Sequence, residues 1–365
     1  MKKTVQIMGP VWVNKGDRLM IAALQQELGE DYYLPLPVWL NTPASKMWSF
    51  RNISLMLLQQ AKRSYQCAKH GKAEIILDCS GYQYGDPWSE IGKVLSMRLL
   101  MYQQFRAKGG RIIMMPMALG PFSKRTVAST AAGIFQLADL VFARDKVSYQ
   151  HALDVGCPSS RLELAPDYSN AAAPIMPEAP ELWANRVCIV PSTRMMDKTP
   201  EKTHSVYLDT LRSCIRQVRA HDLEPVLLVH QSEDLLLAQQ LSASIEGGVM
   251  VVDPSPKEAK GIIASSRALI GSRFHALISA LSQGTPAIGT GWTHKYQAIF
   301  AEYGCEEYLI NRFESGPELE AQIARVLSGD SREALINTLK VNAEQQLTRT
   351  HEMFAKLKHC LNASA

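Results

Sequence analysis

The chain has no G-x-G-x-x-G turn, no Walker A loop and no G-x-S-x-G elbow. Nothing in it therefore speaks for a dinucleotide cofactor, a P-loop nucleotidase or a serine hydrolase. No two aspartates stand two positions apart, so the Asp-x-Asp metal chelate of sugar-nucleotide transferases is missing, and the nine histidines show no metal-ligand spacing. The seven cysteines, at 67, 79, 157, 188, 214, 305 and 360, are odd in number and form no Cys-x-x-Cys pair. That usage fits small buried hydrophobes in a reducing cytoplasm. No run is long and apolar enough to span a bilayer. Lys2-Lys3 precedes an apolar run, but Gly9-Pro10 breaks it, so a first strand is expected there and not a signal peptide. Zinc-finger spacing, RNA-binding aromatic motifs and basic tails are all absent, which excludes the common nucleic-acid readers.

What is present is a globular chain of 365 residues with a formal charge of +4, long enough for two cores. Short apolar runs alternate with helical patterns from Thr4–Met8 through Glu74–Cys79, Arg111–Ala118, Leu140–Ala143 and Leu162–Ala165. This is the pattern of a doubly wound α/β domain. An Ala- and Pro-rich segment follows, and the pattern restarts at Arg186–Val190. The expected layout is an N-terminal Rossmann-like domain at 1–169 and a linker at 170–184. A second Rossmann-like domain follows at 185–330, with a helical segment at 331–365. Two such domains imply a cleft between them.

The densest stretch runs from Arg267 to Tyr296. Ala268–Ile270 is the apolar run of a buried parallel strand, ended by Gly271. Ser272 is the expected N-cap of a helix carrying Ala276, Leu277, Ala280 and Leu281 on one face. Gly284 closes that helix, Ala287–Gly289 is a second short strand, and Lys295 opens another helix. Arg273, His275 and Lys295 are thus expected just past the carboxyl ends of parallel strands, the rim where open α/β sheets bind ligands. Ser272 and its neighbours add helix N-terminal amides, an anion site. The convergence points to a small phosphorylated anion; the bland alternative is a cap and a surface charge.

Other strand-end loops carry further candidates. Asn14-Lys15-Gly16-Asp17 follows the first strand, with a helix expected from about Arg18, and Asp17 is either functional or an N-cap. Asp78 to Trp88 is a glycine- and aromatic-rich loop around Gly81, suited to walling a sugar ring or a phosphate. Arg144-Asp145 follows a strand, as does Pro191-Ser192-Thr193-Arg194. Between Asp31 and Glu74 there is no acidic residue but six Lys or Arg, interleaved with Trp39 and Trp48. Such a segment suits either an anionic membrane surface or a core-packed helix with a solvated basic face.

Ser272-Arg273-Phe274-His275, followed by Gly284-Thr285-Pro286 and Lys295, resembles the polysaccharide pyruvyl transferase family. Asn14-Lys15-Gly16-Asp17 is similar to its N-terminal Gly-Asp motif, and Leu119-Gly120-Pro121-Phe122 to its Gly-Pro turn. Ala143-Arg144-Asp145-x-x-Ser148 and Ala165-Pro166-Asp167 are similar to its central motifs, while Asp78–Trp88 matches only in part, with one glycine where a run is usual. The resemblance implies a glycosyltransferase-B-like fold. It also implies transfer of pyruvate from phosphoenolpyruvate to two hydroxyls of a polysaccharide sugar or its precursor, with no cofactor beyond that donor.

On that reading His275 is the acid or base, since imidazole titrates nearest neutrality. Asp17 is the candidate base for the sugar hydroxyl. Arg144 closes on the donor, unless it pairs with Asp145 or Asp167. Lys295 and Arg273 hold phosphate or carboxylate, with Ser272, Asn14, Gly16, Arg194 and Gly81 lining the substrate. Arg273 has the alternative of a structural pair. The acceptor is a sugar, either lipid-linked or nucleotide-linked, and the expected place is the cytoplasm, with peripheral contact at the inner face of the membrane as an option. The competing classes are a nucleotide-sugar glycosyltransferase on the same scaffold and a non-catalytic glycan-binding relative.

Overall fold

A computed structural model describes residues 3–9, 14–34, 73–86, 92–197, 202–291, 293–310 and 314–363. Most of the basic Trp-containing segment therefore lies outside the described residues. The chain divides into two compact units: Met1–Trp12, Met20–Tyr168 and Thr350–Ala365 form the first, and Val13–Leu19 with Ser169–Arg349 the second. In this division 13–19 groups with the second unit and 350–365 with the first.

The first unit holds β1 (Lys3–Met8), β2 (Tyr32–Tyr33), β3 (Ile75–Asp78), β4 (Arg111–Met117), β5 (Leu140–Ala143) and β6 (Leu162–Leu164). They form one sheet in the order β2-β1-β3-β4-β5-β6, every pair parallel. The second unit holds β7 (Arg186–Val190), β8 (Glu224–Leu228), β9 (Met250–Val252), β10 (Ala268–Gly271) and β11 (Ala287–Gly289). Their order is β11-β10-β7-β8-β9, again all parallel. The cause is visible in the strands themselves. β3 is Ile-Ile-Leu-Asp and β10 is Ala-Leu-Ile-Gly, buried at every position. An uninterrupted apolar strand needs cover on both faces, which crossover helices supply. In the second sheet the order reverses beside β7, so the loops after β7 and β10 diverge at a switch point where ligands bind in such sheets.

The expected elements recur with small shifts. The first helix begins at Lys15 rather than Arg18, the last spans Gly329–Asn362, and β2 was not foreseen because it is two residues long. The expected linker is tied to the helix Pro256–Ser265: Ile175 N donates to Lys257 O at 2.9 Å, and Lys260 Nζ donates to the carbonyls of Ser169 at 3.1 Å and Asn170 at 2.8 Å. That helix starts with a capping box, Ser255 with Glu258.

In the loop after β3, residues 78 to 82 and Tyr84 are buried, while Pro87 and Trp88 lie outside the described residues. Asp78 is fully buried and accepts from Tyr102 Oη at 2.7 Å, from Ser80 N at 3.0 Å, and from the hydroxyls of Ser80 and Tyr84. Arg98, also buried, lies 3.7 Å from the Asp78 carboxylate and donates to Ser80 Oγ at 2.6 Å. Gly81 takes the left-handed conformation the turn needs, φ +65°, and its carbonyl accepts from Ala118 N at 3.0 Å.

Removing one partner of a buried charge network strands the others. Asp78→Ala is expected to destabilise the first unit by about 3–5 kcal/mol in denaturant unfolding. A loss below about 1 kcal/mol would show that Arg98 and the two tyrosines find other partners.

Candidate functional site

The second unit gathers its polar side chains at the carboxyl ends of β7, β8 and β10. Arg273 leaves the end of β10 as the N-cap residue of the helix Phe274–Leu281, without a side-chain cap bond. Its guanidinium turns toward the two neighbouring strand ends. Nε donates to Asp234 Oδ2 at 2.7 Å, Nη1 to Gln231 Oε1, and Nη2 to Asp234 Oδ1, to Thr193 Oγ1 at 3.1 Å and to Glu233 Oε1 at 3.1 Å. Asp234 is fully buried and also accepts from Thr193 N at 2.9 Å. Of the two roles open to Arg273 in the sequence, the structural pair is formed: Asp234 and Glu233 hold the guanidinium among the strand-end loops. Arg194 stands beside it, with Nη2 at 3.2 Å from the same Glu233 oxygen.

Ser272 is not the N-cap. Its hydroxyl bonds Tyr207 Oη at 3.1 Å, its N–H donates to Val190 O at 3.2 Å, and its carbonyl accepts from Tyr296 Oη at 3.1 Å. Buried and so engaged, Ser272 anchors the turn that carries Arg273 and His275.

His275 follows in the first turn of the helix, half-buried. Its ring packs edge-on against Phe274, with centroids 5.3 Å apart. The Lys295 ammonium lies 4.7 Å from the centroid of the same Phe274 ring, the distance of a cation–π contact. His275 and Lys295, twenty residues apart in sequence, are therefore brought together by Phe274. Gly16 closes the other side of His275. A Cβ built on Gly16 would sit 1.9 Å from His275 Nδ1 and 2.2 Å from Cγ, so only glycine admits this approach.

The Asn14–Asp17 segment, grouped with the second unit, explains itself locally. Asn14 Oδ1 accepts from Gly16 N at 2.9 Å, and Asn14 Nδ2 donates to Asp17 Oδ1 at 2.9 Å. Asn14 is thus the cap and Asp17, in the first helical turn and buried, is its side-chain partner. Asn14 also bridges Gln231 in antiparallel fashion.

Two residues without a role in the sequence reading join this centre. Lys15 is buried; Nζ donates to Val229 O at 2.6 Å and pairs with Asp253. Burial lowers its pKa against the pull of Asp253. His230, just past β8, is buried, and its pKa is held well below the usual imidazole range by burial, then by His275, Lys15 and Arg273. Its Nε2 has no hydrogen-bond partner among the described residues. The signal for both was present: Lys15 sits in the Asn-Lys-Gly-Asp turn, and His230-Gln231-Ser232-Glu233-Asp234 is a polar run directly after an apolar strand.

Arg144 belongs to the first unit. At the end of β5 its Nη1 donates to Asp167 Oδ2 at 2.6 Å, both residues being buried, while Asp145 caps the next helix by accepting from Ser148 N at 2.7 Å. Of its two anticipated partners, Arg144 takes Asp167. No helix among the described residues is long and apolar enough to cross a membrane.

A profile of the family described as Polysaccharide pyruvyl transferase matches residues 14–294, from Asn14 to the residue before Lys295. No curated protein sequence matches the chain. Solved structures resemble the fold along its whole length. S. aureus MnaA, in a co-structure with UDP, is 14% identical with a TM-score of 0.61, over 99% of this chain and 97% of that one. Anabaena Alr3699/HepE in complex with UDP-glucose is 13% identical with a TM-score of 0.61, over 98% and 100%. The glycosyltransferase SnogD from Streptomyces nogalater is 13% identical with a TM-score of 0.50, over 98% and 99%. At these identities the likeness shows the fold alone, two parallel-sheet α/β units of the glycosyltransferase-B type.

Arg273→Ala is expected to lower unfolding stability by about 3–5 kcal/mol, because it leaves Asp234 charged and buried; a wild-type melting curve would deny it the structural role. For His230 the sign follows from linkage. The folded protein keeps it neutral while the unfolded chain protonates it below pH ~6.5, so stability is full above that pH and falls as pH drops. His230→Asn should flatten this acid limb by up to about 1.4 kcal/mol per pH unit. An unchanged limb would assign the loss to other groups.

Proposed function

Because this chain belongs to the polysaccharide pyruvyl transferase family, we propose that it moves pyruvate from phosphoenolpyruvate onto two hydroxyls of one sugar, forming a cyclic ketal and releasing phosphate. The observation that carries the reading is the meeting of His275 and Lys295 on Phe274, with His275 pressed against Gly16, inside or bordering the matched segment.

The reaction makes definite demands. The donor's methylene carbon gains a proton, which leaves the enol carbon electrophilic. The first sugar hydroxyl attacks that carbon and loses its proton. The carbon–oxygen bond to phosphate then breaks, and the second hydroxyl adds and loses its proton. One proton ends on the new methyl group and one on phosphate, so the two hydroxyl protons are accounted for. His275 is the group we assign to these transfers, being less buried than Asp17, which is held by Asn14. Lys295 supplies a fixed cation for the donor's phosphate or carboxylate as charge develops, and the helix N-terminus beside His275 adds oriented amides. The acceptor is a sugar of a polysaccharide or of its carrier-linked precursor. Phosphoenolpyruvate is a cytoplasmic metabolite, so the reaction is assigned to that compartment.

The first experiment is a melting curve with phosphoenolpyruvate and, separately, with uridine nucleotides and their sugars. A ligand at 100 times its Kd adds about 2.7 kcal/mol. A shift with phosphoenolpyruvate that is lost in Lys295→Ala supports the proposal. A response to nucleotide sugars without any to phosphoenolpyruvate replaces it with glycosyl transfer. In turnover, His275→Ala should cost about 10²–10⁴ in kcat with the fold intact, and activity near wild type would remove His275 from the chemistry.

A further inference from the structure

Glu233 occupies an unusual place. It sits on the single 3-10 turn Ser232–Asp234, immediately beyond β8, with its side chain 38% exposed. One of its oxygens, Oε1, has three donors within reach from two other strand ends: Arg273 Nη2 at 3.1 Å, Arg194 Nη2 at 3.2 Å and Thr193 Oγ1 at 3.3 Å, the last also 3.1 Å from Asp234 Oδ1. Asp234, by contrast, is fully buried and takes Arg273 by two nitrogens. The two carboxylates differ in kind. Asp234 is part of the core, while Glu233 reaches the same arginine from the solvent side and can leave by rotamer change with the backbone fixed.

Charge arithmetic over this cluster is informative. Arg194 and Arg273 carry two positive charges, and Asp234 and Glu233 two negative ones. When Glu233 swings out, one negative charge leaves the cluster, and Arg194 Nη2 and Arg273 Nη2 still converge on the place its oxygen held, while Thr193 Oγ1 keeps Asp234 as a partner. The vacated place suits an oxygen of an anion that brings one negative charge and accepts several hydrogen bonds, which is the description of each phosphate in a diphosphate ester.

We propose that Arg194, Arg273 and Thr193 form a phosphate subsite at the carboxyl ends of β7, β8 and β10, and that Glu233 is its built-in competitor, displaced by one phosphate of a diphosphate-linked substrate. This rests on the pyruvyl-transfer reading only for its sense: the phosphate would then belong to the carrier of the acceptor sugar, nucleotide or lipid, because the donor is assigned to Lys295 and His275. In the empty protein Glu233 keeps the cluster neutral and shut to small stray anions. A ligand bound elsewhere through its sugar gains the local concentration needed to evict it.

The test uses the full chain and titrates inorganic pyrophosphate, UDP and phosphoenolpyruvate by calorimetry. Glu233→Gln keeps the shape of the side chain but gives up its charge. It should bind pyrophosphate and UDP about fivefold tighter than wild type, the scale of a lost partly exposed ion pair. Adding Arg194→Ala should abolish the gain, and phosphoenolpyruvate should bind Glu233→Gln as it binds wild type. Unchanged or weaker diphosphate binding in a folded Glu233→Gln protein overturns the proposal. So does a gain that survives Arg194→Ala, and so does a gain confined to phosphoenolpyruvate, which would put the donor here. The two readings fail separately: no phosphoenolpyruvate binding in the wild type sinks pyruvyl transfer, whereas no diphosphate gain in Glu233→Gln sinks the subsite. A gain shared by pyrophosphate and UDP supports phosphate recognition, and a gain for UDP alone ties it to a nucleotide and overturns the general diphosphate site.

Discussion

One ion pair organises the second unit. Arg273 and Asp234 engage through two guanidinium nitrogens in a buried setting, and through them the ends of three strands adjacent in the sheet are drawn together. Burying such a pair gains little over a hydrophobic one, but leaving either half alone is expensive. The pair therefore acts mainly as a specification. It allows one arrangement of the turns after β7, β8 and β10, and that arrangement puts His275 at the head of its helix with Phe274 beneath it. Tyr207 and Ser272 lock the same turn from the side, through Ser192 N and the Tyr207 hydroxyl.

Around His275 the charges are arranged by burial. Lys15 is tied to Asp253 and a carbonyl, Arg273 to its carboxylates, and His230 is held neutral by its dry surroundings and cationic neighbours. Fixed cations with paid-for positions need no reorganisation when an anion arrives. The Lys295 ammonium rests on the aromatic face of Phe274. A contact of that kind orients a cation while leaving its charge in place.

The fold was largely legible in the chain. Apolar runs such as Ile75–Leu77 and Ala268–Ile270 have no polar side to show to water, and the glycines after them mark where the chain must turn. The site was legible in part. The segment from Ser272 to Lys295 stood out because a histidine and three polar residues follow a buried strand. What the sequence did not carry is direction. Arg273 and Lys295 look alike as cations at strand ends, yet one turns onto Asp234, 39 positions away, and the other onto Phe274. Such long-range partners have no local signature, so Asp234, Gln231 and His230 drew no reading from the sequence. The bonds of Asn14 to Gly16 N and to Asp17 are local, and capping chemistry accounts for them.

The contact between Gly16 and His275 reaches beyond positioning. The imidazole fills the very volume that any side chain at position 16 would occupy. The two positions therefore share one parcel of space, and substitutions at them are not independent. A bulkier residue at 16 becomes admissible only with a slimmer one at 275.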